Sequence, residues 1–197
     1  MSTFDTVRYY IALLLVVTGP GAALFWFPIH PFAAFWRRVG PRWAYTAVIG
    51  AYVAAGVAGW AFRAPLLSIQ YGTGPIVIAA GAVLILVATV LRHLWHRQLS
   101  MRILFGLPEL SSRQPQRILT EGAYACVRHP RYVEILVGFL GWALFCNYLA
   151  AYLVCAFLVV AIAIIIPMEE RELAQRFGPA YEEYRRRVPA LVPRLRR

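Results

Sequence analysis

Residues 132–166, YVEILVGFLGWALFC-NY-LAAYLVCAFLVVAIAIII, hold two apolar blocks, Tyr132 to Cys146 and Leu149 to Ile166, joined only by Asn147-Tyr148. A link that short leaves two helices no option but to fold back antiparallel, so the stretch reads as a helical hairpin. The first arm rises only about 22 Å at roughly 1.5 Å per residue, against about 30 Å of bilayer hydrocarbon, and barely spans. Upstream lie three further windows of spanning character. The first, Val7 to Phe27, is interrupted by Gly19-Pro20-Gly21, where a kink is expected. The second, Trp43 to Phe62, carries Ala47, Ala51, Ala55 and Gly59 at every fourth position, a smooth face for close helix packing. Pro75 opens the third, which runs to Leu91 and continues into water through Arg92, His93, His96 and Arg97.

Composition agrees. The chain has 197 residues, of which 60% are hydrophobic and 15% charged, with a mean hydropathy of +0.60. Soluble domains carry about 45–50% apolar and about 25% charged residues, so a water-soluble enzyme is excluded. Disorder is excluded by an aromatic content of 14%. The expected fold is an all-α integral-membrane bundle of five transmembrane helices. Residues 1–91 form the N-terminal helices, and residues 92–197 add a polar loop, the hairpin and an amphipathic tail, all in one membrane domain. No cleaved signal peptide is expected ahead of the first block. Cys126, Cys146 and Cys155 have neither the number nor the spacing of a disulfide framework.

The net charge of +11 comes with 20 arginines and no lysine. Because the arginines lie between apolar blocks, they report membrane orientation rather than a nucleic-acid partner. With the N-terminus outside and five crossings, 18 of the 20 fall on the inner side, leaving Arg8 and Arg63 outside. The C-terminus is then cytoplasmic. Arginine-only usage and small size point to a bacterial plasma membrane.

Chemistry must lie in the two polar segments, because no nucleotide-binding glycine loop follows a strand. The loop ends in Gly122-Ala123-Tyr124-Ala125-Cys126-Val127-Arg128-His129-Pro130-Arg131-Tyr132, which stops just as a membrane helix begins. An anchor at headgroup depth explains such residues, and so does a site for an anion or a ribose. After the hairpin, Pro167-Met168-Glu169-Glu170 places two acids at the expected start of a helix over Met168 to Phe177. Gly178-Pro179 ends that helix, and a basic turn follows from Tyr181 to Val188. Leu173, Phe177, Tyr181, Tyr184 and Val188 keep helical spacing, so the tail lies against the membrane face or the loop. A tight hairpin brings its two ends together, and with them His129, Tyr132, Glu169 and Glu170. His93 and His96 lack a third ligand at matching spacing, and no metal site is expected.

Gly122-x-Tyr124-x3-Arg128-His129-Pro130-x-Tyr132, a hairpin, and then Glu169-Glu170-x2-Leu173-x3-Phe177-Gly178-x2-Tyr181-x2-Tyr184 resembles the isoprenylcysteine carboxyl methyltransferase and phospholipid methyltransferase superfamily. The resemblance covers about the last 80 residues. It implies an integral-membrane enzyme that uses S-adenosylmethionine on a lipophilic or membrane-embedded acceptor. It also implies that the cofactor is held by Gln116, Arg117, Ile118, Leu119, Tyr124, His129, Pro130, Arg131, Tyr132 and Glu169. Glu170 is then the expected proton acceptor, with Glu134 and Ile165 on the substrate side. Ile165 stands where carboxyl methyltransferases of this superfamily place an arginine on the substrate carboxylate, which argues against carboxylate acceptors. Glu134, three residues from Arg131, reads either as its ion-pair partner or as a substrate contact. Two competing readings are an NADPH-dependent sterol-type reductase, which shares a related Arg-His-Pro-x-Tyr, and a noncatalytic scaffold or carrier. The acceptor and the oligomeric state are not written in the sequence.

Overall fold

The computed structural model describes residues 2–24, 27, 32–96 and 118–193. Among them every regular element is helical: α1 (Thr3–Leu24), α2 (Ala33–Val39), α3 (Pro41–Ala61), α4 (Arg63–Leu66), α5 (Pro75–His96), α6 (Ala123–Cys126), α7 (Pro130–Cys146), α8 (Leu149–Phe177) and α9 (Pro179–Arg187). Among the described residues three helices are long and apolar enough to cross a bilayer, over Arg42–Ala61, Pro75–Trp95 and Leu149–Phe177. The 22-residue α1 and the 17-residue α7 pack among them.

The hairpin forms as its sequence dictates. Asn147 caps α7 in the left-handed region, at φ 58°, a conformation that asparagine tolerates better than most residues. The turn is tied from outside: Tyr71 N–H donates to Asn147 O at 3.0 Å, and Leu149 N–H donates to Ile69 O at 3.1 Å. Arg8, 1% exposed, donates to Cys146 O at 3.0 Å and to Gly72 O at 2.7 Å. It thereby satisfies the Cys146 carbonyl, which α7 itself cannot pair, and ties the end of α7 to the segment before α5.

Two backbones meet where α5 crosses α7. A Cβ on Gly81 would lie 2.6 Å from Phe145 N, and one on Gly141 would lie 2.8 Å from Ile85 N, so only glycine fits at either position. α1 and α3 likewise touch at Gly59, whose Cβ would lie 2.7 Å from Val16 O.

Four expectations are corrected. The packing face of α3 runs through Ala44, Val48, Ala55 and Gly59, and leaves Ala47 and Ala51 exposed. The stripe was drawn from residue size, whereas burial follows the neighbours. α8 does not restart after Pro167 but runs unbroken to Phe177, because residues on both sides of the proline are fixed. Ile165 is buried in the core and Glu170 is ion-paired, which together outweigh the roughly 3 kcal/mol that an interior proline costs. Glu169 and Glu170 therefore sit inside a helix and gain nothing from an N-terminal dipole. The basic turn over Tyr181 to Val188 is instead α9, opened by Pro179 at its first position after Gly178 at φ 55°.

Candidate functional site

The first turn of α7 and the polar end of α8 are brought side by side by the hairpin, and α9 folds back against α8 and the motif loop. His129, the residue that caps α7, is 3% exposed at its side chain. Its Nδ1 lies 3.5 Å from Glu169 Oε2 and its Nε2 lies 3.2 Å from Glu170 Oε1. Burial opposes charge on this ring, but the hydrogen bonds and charges of both carboxylates outweigh it and push the imidazole up to about 9. His129 is therefore a cation at neutral pH, bridging two acids. Tyr132 stacks on it with ring centroids 5.5 Å apart, and donates its hydroxyl to Glu169 Oε2 at 2.8 Å.

The two acids differ in their surroundings. Glu170, 8% exposed at its side chain, accepts from Arg128 Nε at 2.9 Å and also meets Arg185 Nε at 3.3 Å. Glu169 keeps a quarter of its side chain exposed and faces only the neutral phenol and the imidazolium among the partners just named. Glu170 is the fixed counterion, and Glu169 is the carboxylate presented outward.

Arg128 ties the elements together. Beyond Glu170, its guanidinium donates to Arg185 O at 3.1 Å and to Val188 O, while its backbone N–H donates to Pro189 O at 2.8 Å. His129 N–H follows with Ala190 O at 3.0 Å, and Tyr184 donates its hydroxyl to Tyr124 O at 2.7 Å. The tail is thus stitched to the motif loop along its length, on the loop side of the two options its amphipathic spacing left open. Arg185 joins this cluster although the sequence reading does not single it out. Arg128 stood inside the motif, but the carbonyls it holds lie 57 and 60 residues onward, beyond any local signal.

The remaining expected positions are distributed as follows. Pro130 is buried at the start of α7, and half-buried Tyr124 follows Gly122, which has a positive φ of 62°. Arg131 lies in the electrostatic surroundings of Tyr132, Glu134, Tyr124 and Glu169. Ile118 and Leu119 are half-buried ahead of the motif, while Gln116 and Arg117 lie outside the described residues. Glu134 forms an ion pair with Arg92 of α5, at 2.7 Å, while also lying in the electrostatic surroundings of Arg131. The α5–α7 crossing brings in a partner 42 residues away. Ile165, 2% exposed, belongs to an apolar cluster with Ala44, Val48, Tyr132 and Ile162. With Glu134 and Glu170 both ion-paired, the acidic surplus that bare counting gives this region disappears.

Aromatic faces, an imidazolium and a partly exposed carboxylate on one rim form a donor and acceptor set suited to a ligand with a cationic centre and hydroxyls. Among the described residues, no group of three His, Cys, Asp or Glu side chains can hold a metal ion.

The sequence model of the phospholipid methyltransferase family matches residues 76–180, which include the whole of α7, α8 and the polar rim between them. The chain belongs to this family. Similar stretches occur in several proteins, three of which follow. The cobalt-zinc-cadmium resistance protein CzcN of Cupriavidus metallidurans is 41% identical over 90 residues, 44% of this chain and 40% of that protein. Protein-S-isoprenylcysteine O-methyltransferase B of Arabidopsis thaliana is 38% identical over 91 residues, 44% of this chain and 45% of that protein. Methanethiol S-methyltransferase 2 of Bradyrhizobium diazoefficiens is 42% identical over 81 residues, 41% of this chain and 30% of that protein. The chain thus spans less than half the length of each of these relatives. No solved structure gives a significant match. The phospholipid methyltransferase assignment covers the hairpin and its rim, and the first 75 residues lie outside it.

Proposed function

We propose that the protein is an integral-membrane methyltransferase with five transmembrane helices that takes its methyl group from S-adenosylmethionine and passes it to an uncharged lipophilic acceptor. The observation that carries the reading is the His129–Tyr132–Glu169 cluster, held at the open, polar end of the hairpin within the family-matched residues.

The cofactor supplies an activated methyl on a sulfonium. Glu169 would accept hydrogen bonds from the ribose hydroxyls. His129, with Arg131, would face the methionine carboxylate. Tyr124 and Tyr132 offer ring faces to the adenine or the sulfonium, and Ile118, Leu119, Gln116 and Arg117 would complete the binding stretch. Direct transfer needs no covalent protein intermediate, so the chain contributes positioning and exclusion of water. Glu170 we place as the group that orients His129 and Arg128 rather than as the base, because its carboxylate is shared among Arg128, Arg185 and His129. Glu134 is similarly engaged by Arg92.

That arrangement narrows the acceptor. An acceptor that reacts here must lose its proton without strong help, which favours a thiol, whose ordinary pKa is about 8.5, over an alcohol. The apolar cluster around Ile165 offers a carboxylate no cation, and burying one unpaired costs several kcal/mol. Between the thiol and carboxylate acceptors named for the relatives, these features favour the neutral head.

Thermal-shift titration of the purified protein separates the classes. S-Adenosylhomocysteine should stabilise it and NADPH should not. Stabilisation by NADPH alone would install the reductase, and stabilisation by neither would leave the scaffold. In transfer assays a hydrophobic thiol should outperform a prenylcysteine carboxylate, and Ile165→Arg should raise use of the carboxylate. Efficient methylation of the carboxylate by the unmodified protein would overturn the acceptor class.

A further inference from the structure

α9 brings two tyrosines to the site, one turn apart, with ring centroids separated by 6.1 Å. Both are buried, Tyr181 at 2% and Tyr184 at 4% exposure. Their hydroxyls are used differently. Tyr184 spends its own on Tyr124 O, closing the tail onto the motif loop. The Tyr181 hydroxyl is sealed from solvent and has no hydrogen-bond partner among the described residues.

A buried hydroxyl left unpaired is costly, and phenylalanine would fill the same space without that cost. Packing therefore does not explain the oxygen. Its location is informative: Tyr181 lies within the electrostatic surroundings of Glu170, Arg128 and Glu169, the same groups that build the rim, yet hydrogen-bonds to none of them. The helix that carries it cannot drift away, since Arg128 grips the carbonyls of Arg185 and Val188 just beyond it. A fixed, desolvated donor that no described residue uses, set beside the charged groups of the rim, has the character of a ligand contact.

We propose that Tyr181 is a cofactor-binding residue, donating its hydroxyl to an oxygen or nitrogen acceptor of bound S-adenosylmethionine, and that binding thereby fastens α9 over the site. The proposal rests on the S-adenosylmethionine reading above. It makes the tail a wall of the cofactor pocket as well as a strap on the loop.

Tyr181→Phe and Tyr184→Phe, compared with the parent in the full-length purified protein, test it through S-adenosylhomocysteine affinity by calorimetry and melting temperature without ligand. Tyr181→Phe should weaken affinity roughly tenfold, the loss of one hydrogen bond, while the ligand-free melting temperature holds or rises because an unpaired buried hydroxyl has gone. Tyr184→Phe should lower the ligand-free melting temperature. In hydrogen exchange, ligand should slow the amides of residues 179–187 in the parent and do so less in Tyr181→Phe. Parent-like affinity in Tyr181→Phe would overturn the proposal and leave the cofactor reading standing. A ligand-free melting temperature that falls as far as in Tyr184→Phe would make Tyr181 structural and also overturn it. A parent protein with no affinity for S-adenosylhomocysteine would remove the cofactor reading, and the proposal with it.

Discussion

His129 concentrates the electrostatics of the site in one ring. Its proton is held above the ordinary 6.5, up to about 9, by Glu169 and Glu170 against the opposing effect of burial. A raised pKa means that folding takes up a proton, so the stabilisation is complete below about 6.5 and is lost as pH climbs through about 9. A shift of that size corresponds to on the order of 3 kcal/mol. The melting-temperature gap between the parent and His129→Gln should therefore be widest at pH 6 and close toward pH 9.5; a gap independent of pH would show that the ring is not charged in the folded state. Ligand binding offers a second check. Glu169→Gln and His129→Ala should each weaken S-adenosylhomocysteine by roughly 1–3 kcal/mol, the range of a charge-assisted hydrogen bond, whereas changing exposed His93 should have little effect. Unchanged affinity in both variants, with folding retained, would return these residues to the role of an interfacial anchor. The sequence disclosed His129, Tyr132 and Glu169 because motif and hairpin geometry both pointed to them. It did not disclose that Glu134 belongs to Arg92, since a helix-surface rule sees only neighbours three or four residues away.

At the scale of elements, the legible features were those set by chain connectivity. A two-residue link forced the α7–α8 hairpin, and with it the meeting of the two halves of the motif. Features set by packing were misread. Pro167 looked like a stop because its local cost is real, but a helix anchored on both sides carries it. Small residues in α3 looked like a continuous interface, although only the Gly59 end of that stripe lies against α1. The α5–α7 crossing gives this distinction a measurable form. Gly81→Ala drives a methyl into the Phe145 backbone and should cost roughly 1–3 kcal/mol, lowering the melting temperature. Gly50→Ala, with nothing within 4 Å of the added carbon, should leave the melting temperature unchanged or raise it, because alanine is the better helix former by about 0.5–1 kcal/mol. Equal effects from both substitutions would mean that the close crossing does not form.

For the whole molecule, the division of charge between the two ends of the bundle decides which end can meet a cytosolic cofactor. Ala44 and Val48 of α3 pack with Tyr132, Ile162 and Ile165, and Arg92 of α5 pairs with Glu134, so Arg42, Arg92, Arg128, Arg131 and the arginines of α9 share one end. The opposite, turn end holds Arg8 and Arg63. Arg8 is committed to backbone carbonyls and Asp5 rather than to a solvated loop, and Arg63 lies over the Trp60 ring at 4.4 Å. The charge asymmetry of exposed loops is thus steeper than the raw count, and we propose that the motif end faces the cytoplasm. The chain carries its own reporter there: Cys126 is exposed in the motif loop, while Cys146 is buried. An impermeant thiol reagent applied to intact cells should leave Cys126 unmodified and should reach it once the membrane is permeabilised. In a Cys126→Ser background, Ser68→Cys, exposed at the turn end, should react from outside without permeabilisation. Modification of Cys126 in intact cells, with Ser68→Cys protected, would invert the protein and set the His129–Glu169 rim on the side away from any cytosolic methyl donor.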